Sequence, residues 1–461
     1  RGCACKAGGL DGVTYELLKA LDVAALQSLA DVINEAERSL QLPQQWRMQQ
    51  VSLLPKRVDS ERPIALTSVC YRIWAKGRQP LVAQWDRAKQ GSAWWDKAVK
   101  GKSCMDLAVL RLLRAEVSAR NSVHCVSLLA DLKNFYDQVQ WEPLMAQAVE
   151  VGFPPLVALL AVQAYAGTRY LTAEGLVSEA IAPAKGMLAG CPHAPALSKV
   201  ALWDVCQRFV AQGTPANLDT WLDDVGADWT GPDARAVAEV AVKGFRVLEG
   251  LLQGAGLPLS INKTGFLCSS AEVRRHMRRL LKPGEPQVRQ VMRDLGVDST
   301  GARARRIPQH KHRMTRGVRR FSRMVALQVP AGKITLRVAR SGVAACALWG
   351  HQGQGVPPTR MKHVRRVIAR AAGALGRGSV DVLLDLRSDA VEDPEVTVMR
   401  QHFEALFGAW DAWPDDARHE LVRAWNVSWR RLAQAKHCWQ HASGPVAAAQ
   451  AYLMGLGAEA E

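Results

Sequence analysis

Two adjacent aspartates, Asp223 and Asp224, stand inside the alternating, half-apolar run LDTWLDDVGADW at residues 218–229. Like charges at contact repel, and a carboxylate taken out of water without a partner costs several kcal/mol or gives up its charge. A fold that keeps both acids must put them where a positive group can reach them, and a divalent metal is the usual one. Strand-forming residues on both sides predict a β-hairpin with the pair at its turn. A second strand, HCVSLLADL (residues 124–132), is strongly apolar and carries Asp131 at its end. If the two are neighbours in a sheet, three carboxylates converge. Two metal ions about 3.5–4 Å apart would offset their repulsion and hold both oxygens of an in-line phosphoryl displacement. Solvated turn aspartates account for most such pairs, so the surrounding sequence has to carry the reading.

Helical periodicity covers residues 13–40, 103–120, 155–167, 193–211 and 233–255, the last stopped by Gly254 and Gly256, while QVSLLP reads as a short strand. Helices and strands interleave without a regular βαβ rhythm, which predicts an α+β fold on an antiparallel sheet. The chain has 461 residues, 48% of them apolar, enough for about three domains with real cores. Its 60 Lys and Arg against 43 Asp and Glu leave a net charge of +17, the footprint of a nucleic-acid partner. A membrane partner is not expected: no apolar run reaches about 18 residues, and neither end is a basic amphipathic segment. Ten scattered cysteines predict no disulfide framework and a reducing compartment. The opening RGCACKAGG has neither an initiator Met nor a signal pattern, so a fragment of a longer polypeptide is expected.

The character changes after Asp298. Residues 299–380 hold 18 Lys and Arg and no Asp or Glu, with apolar residues still at helical spacing in GVRRFSRMVALQV and MKHVRRVIARAAGAL. So long a stretch without an acid exceeds one solvated helix face and predicts a basic, mostly helical domain. Residues 381–461 turn mixed and Trp-rich, a small helical tail.

In chain order, SLLADLKNFYDQV, KGMLAGCPHAP, WLDDV, GLPLSINKTGF and DLGV resemble the palm of reverse transcriptases, those of non-LTR retrotransposons and group II intron-like elements above all. Upstream, AGGLDGVTYELLK and WRMQQVSLLPKR…ERPIALTSVCYRIWAK resemble the fingers of the same group. The resemblance implies a right-hand polymerase: fingers and palm over 1–298 with an antiparallel palm sheet, a basic helical thumb over 299–380, and a helical tail over 381–461 of unassigned role. It implies an RNA-directed DNA polymerase that copies an RNA template from a DNA primer and deoxynucleoside triphosphates with two Mg²⁺ or Mn²⁺ ions. Asp131, with the carbonyl of Leu132, and the pair Asp223 and Asp224 match the metal-binding positions, Trp221 standing where Tyr or Phe is usual. Tyr136 matches the bulky residue that excludes a ribose 2′-hydroxyl. Lys56 and Arg62 match the residues that hold the incoming triphosphate, chemistry that suits a point charge and a guanidinium fork. Lys263 matches a lysine that protonates or neutralises the leaving pyrophosphate. An element enzyme priming on chromosomal DNA in a eukaryotic host would act in the nucleus.

One motif departs from the pattern. Where the family reads Gly-x-x-Gln-Gly-Ser, this chain keeps Gly186 and Gly190 but has Ala189 and Cys191 at the Gln and Ser positions, and His193 follows in HAP. That departure opens a rival reading, a polymerase fold that only binds RNA or DNA; metal dependence separates the two. An RNA-dependent RNA polymerase is disfavoured by Tyr136 and the fingers motifs. His437, Cys438 and His441 in KHCWQH lack a second Cys pair for zinc and read as packed tail residues. His193 reads as structural, and WPDDARHE as an acid-rich helix start.

Overall fold

The computed structural model describes residues 7–57, 60–326, 333–373, 380–385 and 393–458. Among them, the strands in chain order are β1 (Gln49–Arg57), β2 (Ser60–Leu66), β3 (His124–Asp131), β4 (Arg169–Ala173), β5 (Leu176–Val177), β6 (Asn217–Trp221), β7 (Asp224–Gly231), β8 (Gly265–Cys268), β9 (Gln287–Arg289), β10 (Met292–Asp294) and β11 (Val297–Ser299). The contacts divide the chain into two units, one of Arg1–Val99, Asp131–Thr214 and Gly244–Ser260, the other of Lys100–Ala130, Pro215–Lys243 and Ile261–Glu461. Mixed helices and strands make the α+β class expected from the sequence.

In the first unit, β1 pairs antiparallel with β2 and parallel with β4 in a sheet of order β2-β1-β4-β5. The helix Val69–Lys89 starts on Ser68, whose hydroxyl accepts from Cys70 N, and buries Tyr71, Trp74 and Trp85. Trp85 meets Phe153 edge-on at 5.0 Å, and Lys199 ties this core by ion pairs to Asp86 at 2.6 Å and Asp96 at 2.7 Å.

The second unit carries the sheet β6-β7-β3-β8-β9. β3 is central and buried on both faces, which is why CVSLLA is apolar at every position but the partly buried Ser127. The sheet departs from the antiparallel expectation at one edge: β6–β7 and β3–β8 are antiparallel, but β9 joins β8 parallel. The cause is the intervening helix Ala271–Leu280, a crossover that returns the chain in the same direction. The helix Cys104–Arg120 opens with a capping box, Ser103 Oγ accepting from Asp106 N while Asp106 Oδ2 accepts from Ser103 N.

The helices Pro394–Asp411, Arg418–Ala433 and Pro445–Gly455 close one core with that helix: Met105, Leu112, Leu406, Trp413, Leu421 and Val446 are buried together. At its heart Glu116, fully buried, accepts from Val446 N at 2.8 Å and Ala447 N at 3.0 Å, capping the last helix. Met314, Phe321, Val343, Met361 and Ile368 of the basic segment form a second core that also takes in Val398 and Tyr452. Among the described residues no helix is long and apolar enough to cross a membrane.

Candidate active site

The β6–β7 register pairs Trp221 with Asp224, so Leu222 and Asp223 alone make the turn, one residue earlier than the expected Asp223 and Asp224, because Asp224 is already paired as the first residue of β7. Leu222 sits at φ +56°, a left-handed conformation that costs a leucine about 1–2 kcal/mol and that hairpin turns normally give to Gly or Asn. Strain of this kind at an acidic turn points to function. Period-two alternation then puts Asp224, Gly226 and Asp228 of β7 on one face with Asp219 of β6. In the sheet order β7 lies next to β3, whose last residue is Asp131. Asp131, Asp223 and Asp224 are each half-buried. The backbone around Asp131 is fixed by its carbonyl accepting from Ser260 N at 2.8 Å and by an antiparallel bridge between Leu132 and Leu259.

The positive charge demanded by the acidic hairpin comes first from the protein itself. Arg111, buried on the Cys104–Arg120 helix, donates from Nη1 to Asp294 Oδ1 at 2.7 Å and from Nη2 to the carbonyl of Asp219 at 3.0 Å. Arg114, one turn on, donates from Nη2 to Asp219 Oδ1 at 3.2 Å and lies 3.5 Å from Asp228 Oδ2. Gly226 leaves room for this: a Cβ there would stand 2.5 Å from the guanidinium carbon of Arg111. Burial opposes both guanidinium charges, yet the carboxylates of Asp294 and Asp219 around Arg111, and of Asp219 and Asp228 around Arg114, hold both pKa values above the ordinary arginine range. Asp224 adds to the field that stabilises Arg111, and it helps burial push the Cys104 thiol up. Burial raises the Asp228 and Asp294 carboxyls despite the arginines. Sequence reasoning missed this network. Its only trace was a pair of arginines three apart in LAVLRLLRAEV, a stretch whose other residues are apolar except Glu116.

In the first unit, Asn134 at φ +50° turns the chain after β3 into the short helix Phe135–Gln138. Phe135 goes into the core, while Tyr136, edge-on to it at 5.5 Å, stays half-exposed. The glycine loop is laced to this segment: Met187 N donates to Tyr136 O at 2.6 Å, Gly186 N to Val139 O at 2.8 Å, and Trp141 Nε1 to Gly186 O at 2.8 Å. Gly186 has φ +98°, and a Cβ there would lie 3.1 Å from Tyr136 O, so the position requires glycine twice over. Ala189 and Gly190 are exposed at the loop tip. Cys191 is buried beneath them with Sγ 3.1 Å from Tyr71 Oη, and His193 is buried edge-on to Trp74 at 5.6 Å, its pKa lowered by burial to about 4. That is the structural role expected of His193.

Lys56 lies on β1 and Arg62 on β2, where Arg62 is the register partner of Leu54; their side chains fall outside the described residues. Lys263 is exposed in the turn just before β8. Carboxylates at a turn and a strand end, reachable from solvent, are the hard oxygen donors that Mg²⁺ or Mn²⁺ takes. Among the described residues no group of three or more His, Cys, Asp and Glu is drawn together in a metal-binding cluster.

A family model described as reverse transcriptase (RNA-dependent DNA polymerase) matches residues 54–297, which include every candidate residue named above. No curated protein matches the chain. Similar solved structures include an apo telomerase from Candida tropicalis truncated from its C-terminal domain (12% identity, TM-score 0.39, covering 56% of this chain and 54% of that one). Two others are telomerases in complex with a TWJ fragment of telomeric RNA. The one from Candida albicans has 12% identity and TM-score 0.43, covering 86% of this chain and 66% of its own; the one from Candida tropicalis has 12% identity and TM-score 0.40, covering 82% and 67%. The chain thus spans between about half and two thirds of those proteins.

Proposed function

The chain belongs to the reverse transcriptase (RNA-dependent DNA polymerase) family, and on that premise we propose that it extends a DNA primer along an RNA template from deoxynucleoside triphosphates, as part of a retroelement of the non-LTR or group II intron-like kind. The observation that carries the reading is the strained two-residue turn of Leu222 and Asp223, with Asp224 opening the second strand of a hairpin that neighbours the strand ending in Asp131. A chain that had lost catalysis would have no reason to keep three mutually repelling acids there.

In this mechanism Asp131, Asp223 and Asp224, with the Leu132 carbonyl, would hold two Mg²⁺ ions, which would supply a lowered pKa at the primer 3′-hydroxyl and counter-charge for the triphosphate. Arg111 and Arg114 brace the hairpin through Asp219 and Asp228 and balance its charge. Lys56 and Arg62 grip the triphosphate, and Lys263 supplies a proton or a counter-charge to the departing pyrophosphate. The cationic face of the helix Pro308–Ala326, with Lys311, Arg316, Arg319, Arg320 and Arg323 along one groove, suits the phosphates of an RNA–DNA hybrid. In a eukaryotic host, priming on chromosomal DNA puts the protein in the nucleus.

Primer extension on an RNA template with Mg²⁺ or Mn²⁺ tests the reading, with deoxynucleotides set against ribonucleotides. Extension with deoxynucleotides is the expected result. Salt-sensitive RNA binding with no extension under either metal would overturn it in favour of a binding platform, the reading that the bare methyl of Ala189 at the loop tip supports. Tyr136→Ala is expected to raise use of ribonucleotides relative to deoxynucleotides by about 10- to 100-fold in single-nucleotide kcat/KM. An unchanged ratio would remove Tyr136 from the sugar gate.

A further inference from the structure

The KHCWQH stretch, left over by the polymerase reading, lines a cleft of about 1040 Å³ within the second unit. One wall is the loop and helix start at 305–311, with Arg305, Arg306 and Lys311; the other is Lys436, His437 and Trp439, the last on the short helix Cys438–His441. Among the described residues no carboxylate lines it. Arg306, Lys311, Lys436 and His437 are exposed, so the cleft is open to solvent.

The buried end of the cleft carries Arg305 with no carboxylate in the described lining. Arg305 spends its donors on the carbonyls of Gln354 at 3.1 Å and Gly355 at 2.9 Å and lies 5.8 Å above the Trp439 ring. Burial, and then the like charge of Arg360, bring its pKa down to about 10; Asp298 and the Tyr452 hydroxyl act in the opposite direction. Asp298 is committed elsewhere, accepting from Gln309 N and His310 N at the start of the helix Pro308–Ala326. His310, buried in the same neighbourhood, is driven to about 3 by burial and by Arg305. His310 is therefore neutral, and the cations that face the cleft are Arg305, Arg306, Lys311 and Lys436; with no carboxylate among its described lining they leave a standing preference for an anion in that space.

Shape decides which anion. Trp439 is held rigidly: its ring meets Tyr452 edge-on at 4.9 Å, and a Cβ on Gly355 would stand 2.7 Å from it. With Pro357 and Pro358 it makes a concave, partly apolar wall between cations. Cations beside aromatic surface are what single-stranded nucleic acid uses, whereas the described lining of the groove on the helix Pro308–Ala326 has cations and no Trp, Tyr or Phe ring to stack a base on. Lys311 lines both the cleft and that groove, so the two meet at this residue.

We propose that this cleft binds the phosphate backbone of single-stranded nucleic acid, as the continuation of the cationic track on the helix Pro308–Ala326. The site lies wholly outside the family-matched residues 54–297 apart from Val291 at its rim.

The test is fluorescence anisotropy on the full chain with 12-nucleotide labelled oligo(U) RNA, oligo(dT) DNA and a blunt RNA–DNA hybrid of equal length. The variant is Arg306→Glu with Lys436→Glu, one exposed residue from each wall, with its melting temperature read alongside. Single-strand affinity is expected to fall about 10-fold at about 0.1 M salt. The slope of log K against log salt is expected to shrink by about 1.4 for two lost phosphate contacts. The hybrid should lose less than about 2-fold. A loss confined to RNA assigns the template strand, one confined to DNA a primer or displaced strand, and equal losses a track blind to the sugar. Unchanged single-strand binding, or an equal loss on the hybrid, would overturn the proposal. Primer extension on the same preparations keeps the two readings apart. Its absence in the unsubstituted protein sinks the polymerase reading, while the cleft stands or falls on binding alone.

Discussion

Asp224→Asn is expected to cut deoxynucleotide addition by at least about a thousandfold, which is about 4 kcal/mol of transition-state stabilisation. Asparagine keeps the size of the side chain and one carbonyl oxygen. On the proposed reading it removes one of the three charges offered to a divalent ion, leaving only those of Asp223 and Asp131. The substitution is mild for the fold, since Asp224 is half-buried at a hairpin end and its backbone pairing with Trp221 is untouched. Affinity for an RNA–DNA hybrid, measured in parallel, should stay within about tenfold because phosphate contacts dominate it. Extension that survived in Asp224→Asn at the parent's rate would mean that the acidic pair is a solvated turn and nothing more. A loss of extension matched by an equal loss of binding would also count against a metal-holding role.

The second large effect lies beneath that turn. Arg111→Met is expected to destabilise the second unit by about 3–5 kcal/mol, because it leaves Asp294 and Asp219 buried and short of their shared cation. For a unit of this size the loss lowers Tm by on the order of 10 °C. The pH dependence follows from the carboxyls. Burial already raises those of Asp294 and Asp228, so the folded protein keeps their protons to a higher pH than the unfolded chain does. The resulting cost is absent below the unfolded carboxylate pKa, about 3.9, and complete above the raised folded value. Removing Arg111 lifts that folded value further. The Tm gap between variant and parent should therefore be wider at pH 8 than at pH 5; equal gaps would assign the loss to packing. Because Gly226 is cut to the shape of the guanidinium, a smaller aliphatic side chain at 111 leaves a void as well as a charge deficit.

What was legible in the sequence was local. β3 ends at Asp131 and the hairpin turns at residues 222 and 223 because apolar alternation and an apolar run fix strand ends within a few residues. The helix ending at Gly254 was readable from its two glycines. What escaped was built from residues far apart in the chain. Arg111 meets Asp294 across 183 positions and Arg114 meets Asp219 across 105, and no periodicity announces such partners. The parallel pairing of β9 was hidden for a similar reason: three residues of strand carry too little pattern to show which way they run. In the candidate site, the motif order identified residues, but the left-handed Leu222 and the lacing of Gly186 to Tyr136 are facts of backbone geometry that residue type does not encode.

The cap that Glu116 places on the last helix has a consequence in time. Its acceptors wait for N–H groups 330 and 331 positions downstream. At a synthesis rate of about 5–20 residues per second, that is roughly 15 to 70 s after the helix Cys104–Arg120 leaves the ribosome. Throughout that interval the helix has an uncovered apolar face and a carboxylate still in water, and the same helix carries Arg111 and Arg114. The core around Glu116 therefore closes only once the helix Pro445–Gly455 is made, later than the residues at 219, 228 and 294 that Arg111 and Arg114 pair with.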